Sequence, residues 1–520
     1  MSLKAQRLFS LFIFTSLAQN VFGANILAIN TLLSPSHHLF NDVYLFELAK
    51  RGHNVTLLGH DKDKHNHPNY TYIVMEGAYE KVRDQFDLMA MKDMSDWETI
   101  KNLWSFAEVT CLLDQKTKGL RQITNYPNDF KFDLIIVDVN YGHCLYPLIE
   151  KFGNPPIIGV NPFINQPNLF RNIWQSYIPF MTHSFGAQIN LWQKLKSFFF
   201  MLLLEVSRLT HYIPRQQELA YDYFGPMKSS ILEIEKNMSL MLINYNPVFN
   251  YVEALPPNMI PVGGLHIQPK RLPDDLKEIL DNAKFGAILF SLGSNVRSKE
   301  LGPERIQAII NTFSKLKQTV IWKFENDKLE GIPANVHIRK WVPQNDILGH
   351  PNTILFISHG GLLSSHEIMY NGVPVIGIPF FLDQLQNVDT FIAKGVGEKL
   401  SFFEITEHNL FKVIQKVLNN NTYMENAKKW SALYKHQMNK PLDVAIFWIE
   451  YILKFKTAEH FNLATRNMNF VESANLDLVF VSLLSLVLIL LTVYCATYLI
   501  YKCIRRKGIA KELDIKKKIQ

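Results

Sequence analysis

Short apolar runs alternate with amphipathic stretches over most of the chain. Ile26 to Ile29 reads as a strand, residues 37–51 carry helical periodicity, and the run from Arg51 to Leu58 returns as a second strand. Strand, helix and strand with brief connections make a βαβ unit, which implies a parallel sheet. Phe132 to Val137 is continuously apolar, as expected of a strand buried on both faces. A second series begins near residue 284, with strands at Gly286–Phe290, Val320–Phe324, Thr353–Ile357 and Val373–Ile378 and a helix from Pro303 to about Lys317. Two such series predict an α/β protein of two doubly wound domains facing a cleft, spanning 24–255 and 256–440. The prolines at 247, 256, 257 and 261 mark the join. Residues 440–470 again read as helical, with Phe447, Trp448, Tyr451 and Ile452 available to pack back on the first domain. The seven-residue run Phe198–Leu204 is too short to cross a membrane and predicts a buried helix, with contact at a membrane surface the alternative reading.

Both ends read as targeting segments. Lys4 and Arg7 precede an apolar stretch from Leu8 to Ala18, and the small Val21 and Gly23 suit cleavage before Ala24, so 1–23 is expected to be a signal peptide. Leu478 to Tyr501 are 24 residues without a charge, enough to cross a hydrocarbon layer about 30 Å thick. Residues 441–477 would link the second domain to this span. A basic tail follows at 502–520, which puts it in the cytosol and the bulk of the chain across the membrane, a single-pass type I arrangement. The chain ends on Lys517, Lys518, Ile519 and Gln520. That dilysine ending resembles a retrieval signal of the endoplasmic reticulum; a stop-transfer basic patch is the alternative.

The net charge of +7 over 520 residues first suggests a nucleic-acid partner. The tail alone holds a net +6 and Lys4 with Arg7 add two more, so about −1 is left for the globular body and that reading loses its support. With 48% hydrophobic residues the chain has ample core-forming material. Cys495 and Cys503 belong to the membrane end, which leaves Cys111 and Cys144, too few for a disulfide framework or a thiolate metal site; whether they pair is open. Asn69, Asn237 and Asn420 begin sequons open to glycosylation, whereas Asn54 falls in a strand expected to be buried.

The densest chemical signal is FISHGGLLSSHE from Phe356 to Glu367. It delivers His359 from a strand to a glycine pair that opens a helix. Free backbone N–H groups and the helix dipole favour an anion there, and Gly360 and Gly361 let phosphate oxygens approach. Gly360, Ser364 and Glu367 share one helix face, where a carboxylate can accept two ribose hydroxyls. Asp383 and Gln384 follow the next strand at the same sheet edge; a carboxylate beside an amide suits a polyol.

On these residues the chain resembles the UDP-glycosyltransferase family, specifically its membrane-bound animal members, and Leu362, Leu363 and Ser364 are similar to the insect branch. The resemblance runs from the signal peptide to the lysine-ended tail. It implies the GT-B fold, two Rossmann-like domains with an acceptor site in the first and a UDP-sugar site in the second. It implies contacts of His359 with the diphosphate, Glu367 with the ribose, and Asp383 and Gln384 with the donor sugar. WVPQNDILGH from Trp341 also matches, with Trp341 stacking on uracil and Gln344 bonding the nucleoside, and Ser291, Gly293 and Ser294 of FSLGS match the loop over the phosphates. Leu382 departs from the pattern, since relatives usually carry Gly or Ala before the aspartate.

The resemblance further implies an inverting enzyme whose base deprotonates the acceptor directly. Measured back from Arg51, Gly52 and His53, the family's spacing implies His37 as that base, with His38 the fallback, and Asp138 at the end of its strand matches the family's orienting carboxylate. The expected reaction moves a hexose from UDP-glucose to a small lipophilic hydroxylated acceptor, with UDP-glucuronate the rival donor and a catalytically silent binder of lipophilic ligands the rival class. No cofactor or metal is expected. The only metal-like stretch is Asp61, Asp63, His60, His65 and His67, which reads as a polar loop. A homo-oligomer is left open.

Overall fold

In the computed structural model, β1 (Asn25–Ile29) leads straight into helix α1 (Pro35–Lys50), which starts on Pro35, a residue whose fixed φ suits a first helical turn. β2 (Asn54–Gly59) lies parallel beside β1, completing the expected βαβ unit. The structure describes residues 23–519 except 63, 84, 164–177, 181, 186–188, 327–328 and 469. The expected signal peptide up to residue 22, Asp63 and Gln520 lie outside the described residues.

β3 (Tyr70–Val74), β4 (Leu134–Asp138), β5 (Ile157–Asn161), β6 (Met238–Ile243) and β7 (Met259–Pro261) complete a seven-stranded sheet of order 3-2-1-4-5-6-7. Every pairing is parallel. β4 is buried along its whole length, as its apolar run requires. The second sheet, of order 10-9-8-11-12-13, is built from β8 (Ala287–Ser291), β9 (Thr319–Lys323), β10 (Val336–Arg339), β11 (Thr353–Ser358), β12 (Val375–Gly377) and β13 (Gly397–Lys399), again all parallel. Because β7 belongs to the first sheet, that half of the protein extends past residue 255 to at least Pro261. Pro247, Pro256 and Pro257 lie before this last strand and Pro261 ends it at the sheet's edge, where missing N–H groups cost the ladder little.

Helix α2 (Asp96–Asp114) carries part of the first half's wall and is tied by a Cys111–Cys144 disulfide to the turn at His143–Leu145. Helix α3 (Leu191–Ser207) corrects the expectation of a buried helix at 198–204: Trp192 is 79% exposed, and Phe199, Leu203 and Val206 also face outward while Ser197 and Ser207 are buried. A continuous apolar run has no polar face, so periodicity alone does not say which side turns inward. Asn54 is likewise exposed, because it is the first residue of its strand, and its amide bonds Asn25 Oδ1 at 3.1 Å.

Helices α4 (Leu362–Asn371) and α5 (Gln384–Ala393) follow β11 and β12. Helix α6 (Pro441–Phe455) comes after the second sheet in sequence, yet Ala445, Ile446, Ile449 and Ile452 are fully buried in the first sheet's core with Phe40, Tyr44 and Leu48 of α1. Each buried Ile contributes about 1.5–3 kcal/mol of transfer free energy, so this strap binds the two halves into one body. Beyond Asn462 a separate unit holds helix α7 (Leu476–Ile519), of which Leu476–Leu513 is long and apolar enough to cross a membrane. The helix continues without a break through the basic tail.

Candidate active site

In parallel sheets the strands' carboxyl ends face one edge, and ligands bind outside that edge. At the first sheet's edge, His37 sits in the first turn of α1 and Asp138 ends β4, the strand paired with β1. His37 Nδ1 lies 2.8 Å from Asp138 Oδ2, with both side chains buried. The backbone N–H and Nδ2 of Asn140 donate to Asp138 Oδ1 at 3.1 and 2.6 Å, and Asn41 Nδ2 lies 3.5 Å from Oδ2. A carboxylate so placed accepts, so His37 Nδ1 carries the proton it donates and Nε2 keeps a lone pair.

His38, the adjacent residue on the helix, turns elsewhere. Its ring packs against Gly59 and 6.1 Å from His60, and neither ring nitrogen has a hydrogen-bond partner. Burial holds its pKa well below the usual imidazole value, with the neighbouring His60 adding to the effect. It has no contact with Asp138, so the fallback base is not positioned for the task.

A cavity opens between the two halves, lined by Leu32, Ser34 and Asn140 on one side and by Leu382, Asp383 and Asn387 on the other. The Ser34 hydroxyl, which would ordinarily cap α1, instead receives Nδ2 of Asn295 from the second half at 3.1 Å. Asp383 is pushed up to about 6 by burial, against the pull of the Asn387 amide at 2.7 Å and of the nearby His37.

At the second sheet's edge the expected donor residues converge. Ser291 and Ser358 are register partners at the ends of β8 and β11, so Gly293 and His359 emerge side by side. The buried His359 ring lies between Gly293 and Gly361: a β-carbon on either would come within 2.4 Å of it. Gly360 holds a positive φ of 82°, and a β-carbon at this position would come within 2.6 Å of Val388. No side chain caps the first turn of α4, which leaves its N–H groups to an anion. His359 is held down at about 3 by burial, with Lys323 contributing.

Gln344 Nε2 donates to Ser364 Oγ at 2.8 Å and to Glu367 Oε2 at 2.5 Å. Trp341 stands 64% exposed nearby in sequence, free to stack on a flat base. Burial pushes Glu367 up to about 7, with the Gln344 bond opposing. Gln384 spends its carbonyl oxygen on the N–H groups of Phe380 and Phe381, at 2.8 and 3.3 Å, and so holds the loop that presents Asp383; its amide nitrogen is what remains for a ligand. Ser294 is partly exposed on the turn after Gly293.

Two residues of this edge escaped the sequence reading. Lys323, the last residue of β9, is buried, donates to the Gly293 carbonyl and stands 5.1 Å over the Trp341 ring. A lysine closing the apolar run Thr319–Trp322 was the signal available. Asn387 bridges Gly360 O at 2.9 Å and Asp383 Oδ2, and only the fold reveals that bridge.

The metal-like stretch does not converge. His60 pairs with Asp114 at 2.7 Å, His65 with Asp42 at 2.7 Å, and Tyr79 donates to Asp61 at 3.0 Å. Among the described residues no three His, Cys, Asp or Glu side chains gather in a metal-holding group.

Residues 26–510 match the sequence model of the family described as UDP-glucoronosyl and UDP-glucosyl transferase. The chain is 33% identical to UDP-glycosyltransferase UGT5 of Dactylopius coccus, covering 97% of this chain and 98% of that one. It is 27% identical to UDP-glucuronosyltransferase 2B9 of Macaca fascicularis, over 85% and 87% of the two chains. Its fold matches the crystal structure of CalG4, the calicheamicin glycosyltransferase, with a TM-score of 0.54 over 83% of this chain and 99% of that one at 14% identity. The two parallel α/β halves are thus a GT-B architecture, and the chain belongs to the UDP-glucuronosyl and UDP-glucosyl transferase family of enzymes.

Proposed function

We propose that the protein transfers glucose from UDP-glucose to a hydroxyl of a small lipophilic acceptor, with inversion to a β-glycoside and without a metal. The observation that carries this is the buried His37–Asp138 pair at 2.8 Å beside a cavity whose far wall presents Asp383. The acceptor oxygen bonds to the anomeric carbon as the bond from that carbon to the diphosphate oxygen breaks. The acceptor's proton passes to His37 Nε2, and Asp138 steadies the imidazolium that results. UDP leaves with its negative charge facing the first turn of α4 and the Lys323 ammonium, while Trp341, Gln344 and Glu367 hold the nucleoside.

Glucose rather than glucuronate is supported by charge. Among the described residues the only Arg or Lys lining the cavity is Arg208, and Glu235 already meets it with two hydrogen bonds. The single carboxylate of a glucuronosyl donor would find there no cation that is not already paired. A membrane location is supported by α7, and the basic residues after Tyr501 support a cytosolic tail with the cleft across the membrane, which we read as the lumen of the endoplasmic reticulum. Asn237 and Asn420 are exposed and accessible to glycosylation there, while Asn69 is half-buried.

Donor competition on the detergent-purified enzyme tests the reading, with UDP-glucose and UDP-glucuronate supplied together, a panel of phenols as acceptors and mass analysis of the products. A hexoside is expected. A glucuronide would overturn the donor assignment, and retention of phenols with no conjugate would point to the silent binder.

A further inference from the structure

The cavity between the halves has one polar corner that the transfer chemistry does not use. Arg208 opens a single π-helical turn, Arg208–Tyr212, set between α3 and the helix Ile213–Phe224, and both of its end residues line the cavity. Such turns recur at functional sites because the extra residue re-aims the side chains around it. The Arg208 guanidinium gives Nη2 to Glu235 Oε1 and Oε2 at 2.5 Å each, while Nη1 stands 3.8 Å from Glu205, too far to bond. A guanidinium has five N–H donors. Those on Nε and Nη1 have no hydrogen-bond partner among the described residues.

The corner is braced from behind. His143 Nε2 is 3.0 Å from Glu235 and its Nδ1 2.8 Å from the Tyr212 hydroxyl. The next residue, Cys144, is disulfide-bonded to Cys111 of α2, the helix that also supplies Trp104 to the cavity wall. Trp104 and Tyr212 stack at 6.1 Å between centroids, 23° apart. The wall is therefore aromatic, with fixed donors beside it.

We propose that Arg208 is a specificity-determining residue for the acceptor: its unspent N–H groups receive a second, uncharged oxygen of an aromatic acceptor, a carbonyl, ether or hydroxyl besides the hydroxyl that is glycosylated. The proposal rests on the cavity being the acceptor's site. An acceptor lacking that oxygen leaves the donors unmatched, and a carboxylate there meets Glu235 and Glu205, whose charges already offset the guanidinium.

The test compares three acceptors of similar size on the detergent-purified full chain: 4-ethylphenol, 4-hydroxyacetophenone and 4-hydroxybenzoate. Conjugation with UDP-glucose and acceptor binding, read by quenching of tryptophan fluorescence, are both measured. The wild type is expected to favour the ketone over the alkylphenol by about tenfold or more in kcat/KM, chiefly through KM, as a hydrogen bond to a charged donor implies. The anion should be the poorest of the three. In Arg208→Lys, and in the triple variant Arg208→Met with Glu205→Gln and Glu235→Gln that removes both facing carboxylates together with the guanidinium, the ketone preference should collapse in both assays. UDP binding by the same preparations reports that they are folded. Variants that keep the preference, or a wild type that prefers the anion or shows none, would overturn the proposal. If ketone binding depends on Arg208 while no acceptor is conjugated, the anchor stands and the transfer reading falls; conjugation without an Arg208-dependent preference has the opposite meaning.

Discussion

A β-carbon on Gly293 would lie 2.4 Å from Cε1 of His359, and Gly293 holds a φ of 81°. Two requirements thus meet at one position, a backbone conformation open to glycine and a space already filled by an imidazole. Gly293→Ala should cost about 1–2 kcal/mol in backbone strain and displace His359 from the first turn of α4. Calorimetry should show weaker UDP binding together with a lower unfolding midpoint. Unchanged UDP affinity would show that the ring position is not needed for the diphosphate.

Loss of the proposed base should stop transfer without emptying the donor site. His37→Ala is expected to lower kcat by about 10²–10⁴ with UDP still bound, and Asp138→Asn should also slow turnover because Nδ1 loses its carboxylate. His38→Ala, which has no hydrogen bond to Asp138 and is not itself part of the cavity lining, should keep most of the rate. Near wild-type turnover in His37→Ala would end the base assignment.

Donor affinity should depend on pH through Glu367. Burial holds its carboxyl up to about 7, so it is neutral below that pH and an acceptor-only carboxylate above it. Two ribose hydroxyls need the ionised form, so the KM for UDP-sugar should rise as pH falls below about 7. Glu367→Gln should flatten that slope. The sign for the empty fold is opposite: a carboxyl raised above its unfolded value withdraws stability as pH climbs from the ordinary carboxylate range toward 7.

Leu382 carries a φ of 55°, a left-handed conformation that a leucine adopts only at a cost. The strain falls at the site itself, since Leu382 lines the cavity. Leu382→Gly should gain about 1 kcal/mol from relief of that strain, less the entropy glycine returns to the unfolded chain. It should also widen the site, lowering KM for bulkier acceptors. A denaturant midpoint that falls would contradict the strain argument.

Removing Lys323 tests a residue that only the fold singled out. Its ammonium lies between the Gly293 carbonyl and the Trp341 ring, and burial lowers its pKa. Lys323→Met should weaken UDP more than uridine if the charge, which sits near His359, serves the proposed diphosphate site; an equal loss for both would reassign it to the base-stacking side.

The strands β1, β2, β4, β8, β9, β11 and β12, the two-series organisation and the long apolar helix near the end were legible from the chain alone because apolar runs and their periods are local properties, whereas β3, β5, β6, β7, β10 and β13 were not read. The glycine pair after His359 and the carboxylates at 367 and 383 were legible for the same reason, since their chemistry follows from neighbours a few residues away. The outward turn of Trp192 and Phe199, the return of α6 onto the first core and the unbonded ring of His38 depend on what packs against each residue from far along the chain. So does the pairing of His37 with Asp138, 101 positions apart, as a geometry and not merely a match of pattern. Sequence by itself determined which groups the protein possesses and which secondary structure carries them. Tertiary structure alone decided which of these groups face one another across the gap, because burial, hydrogen bonding and charge are set by distances that no local pattern encodes.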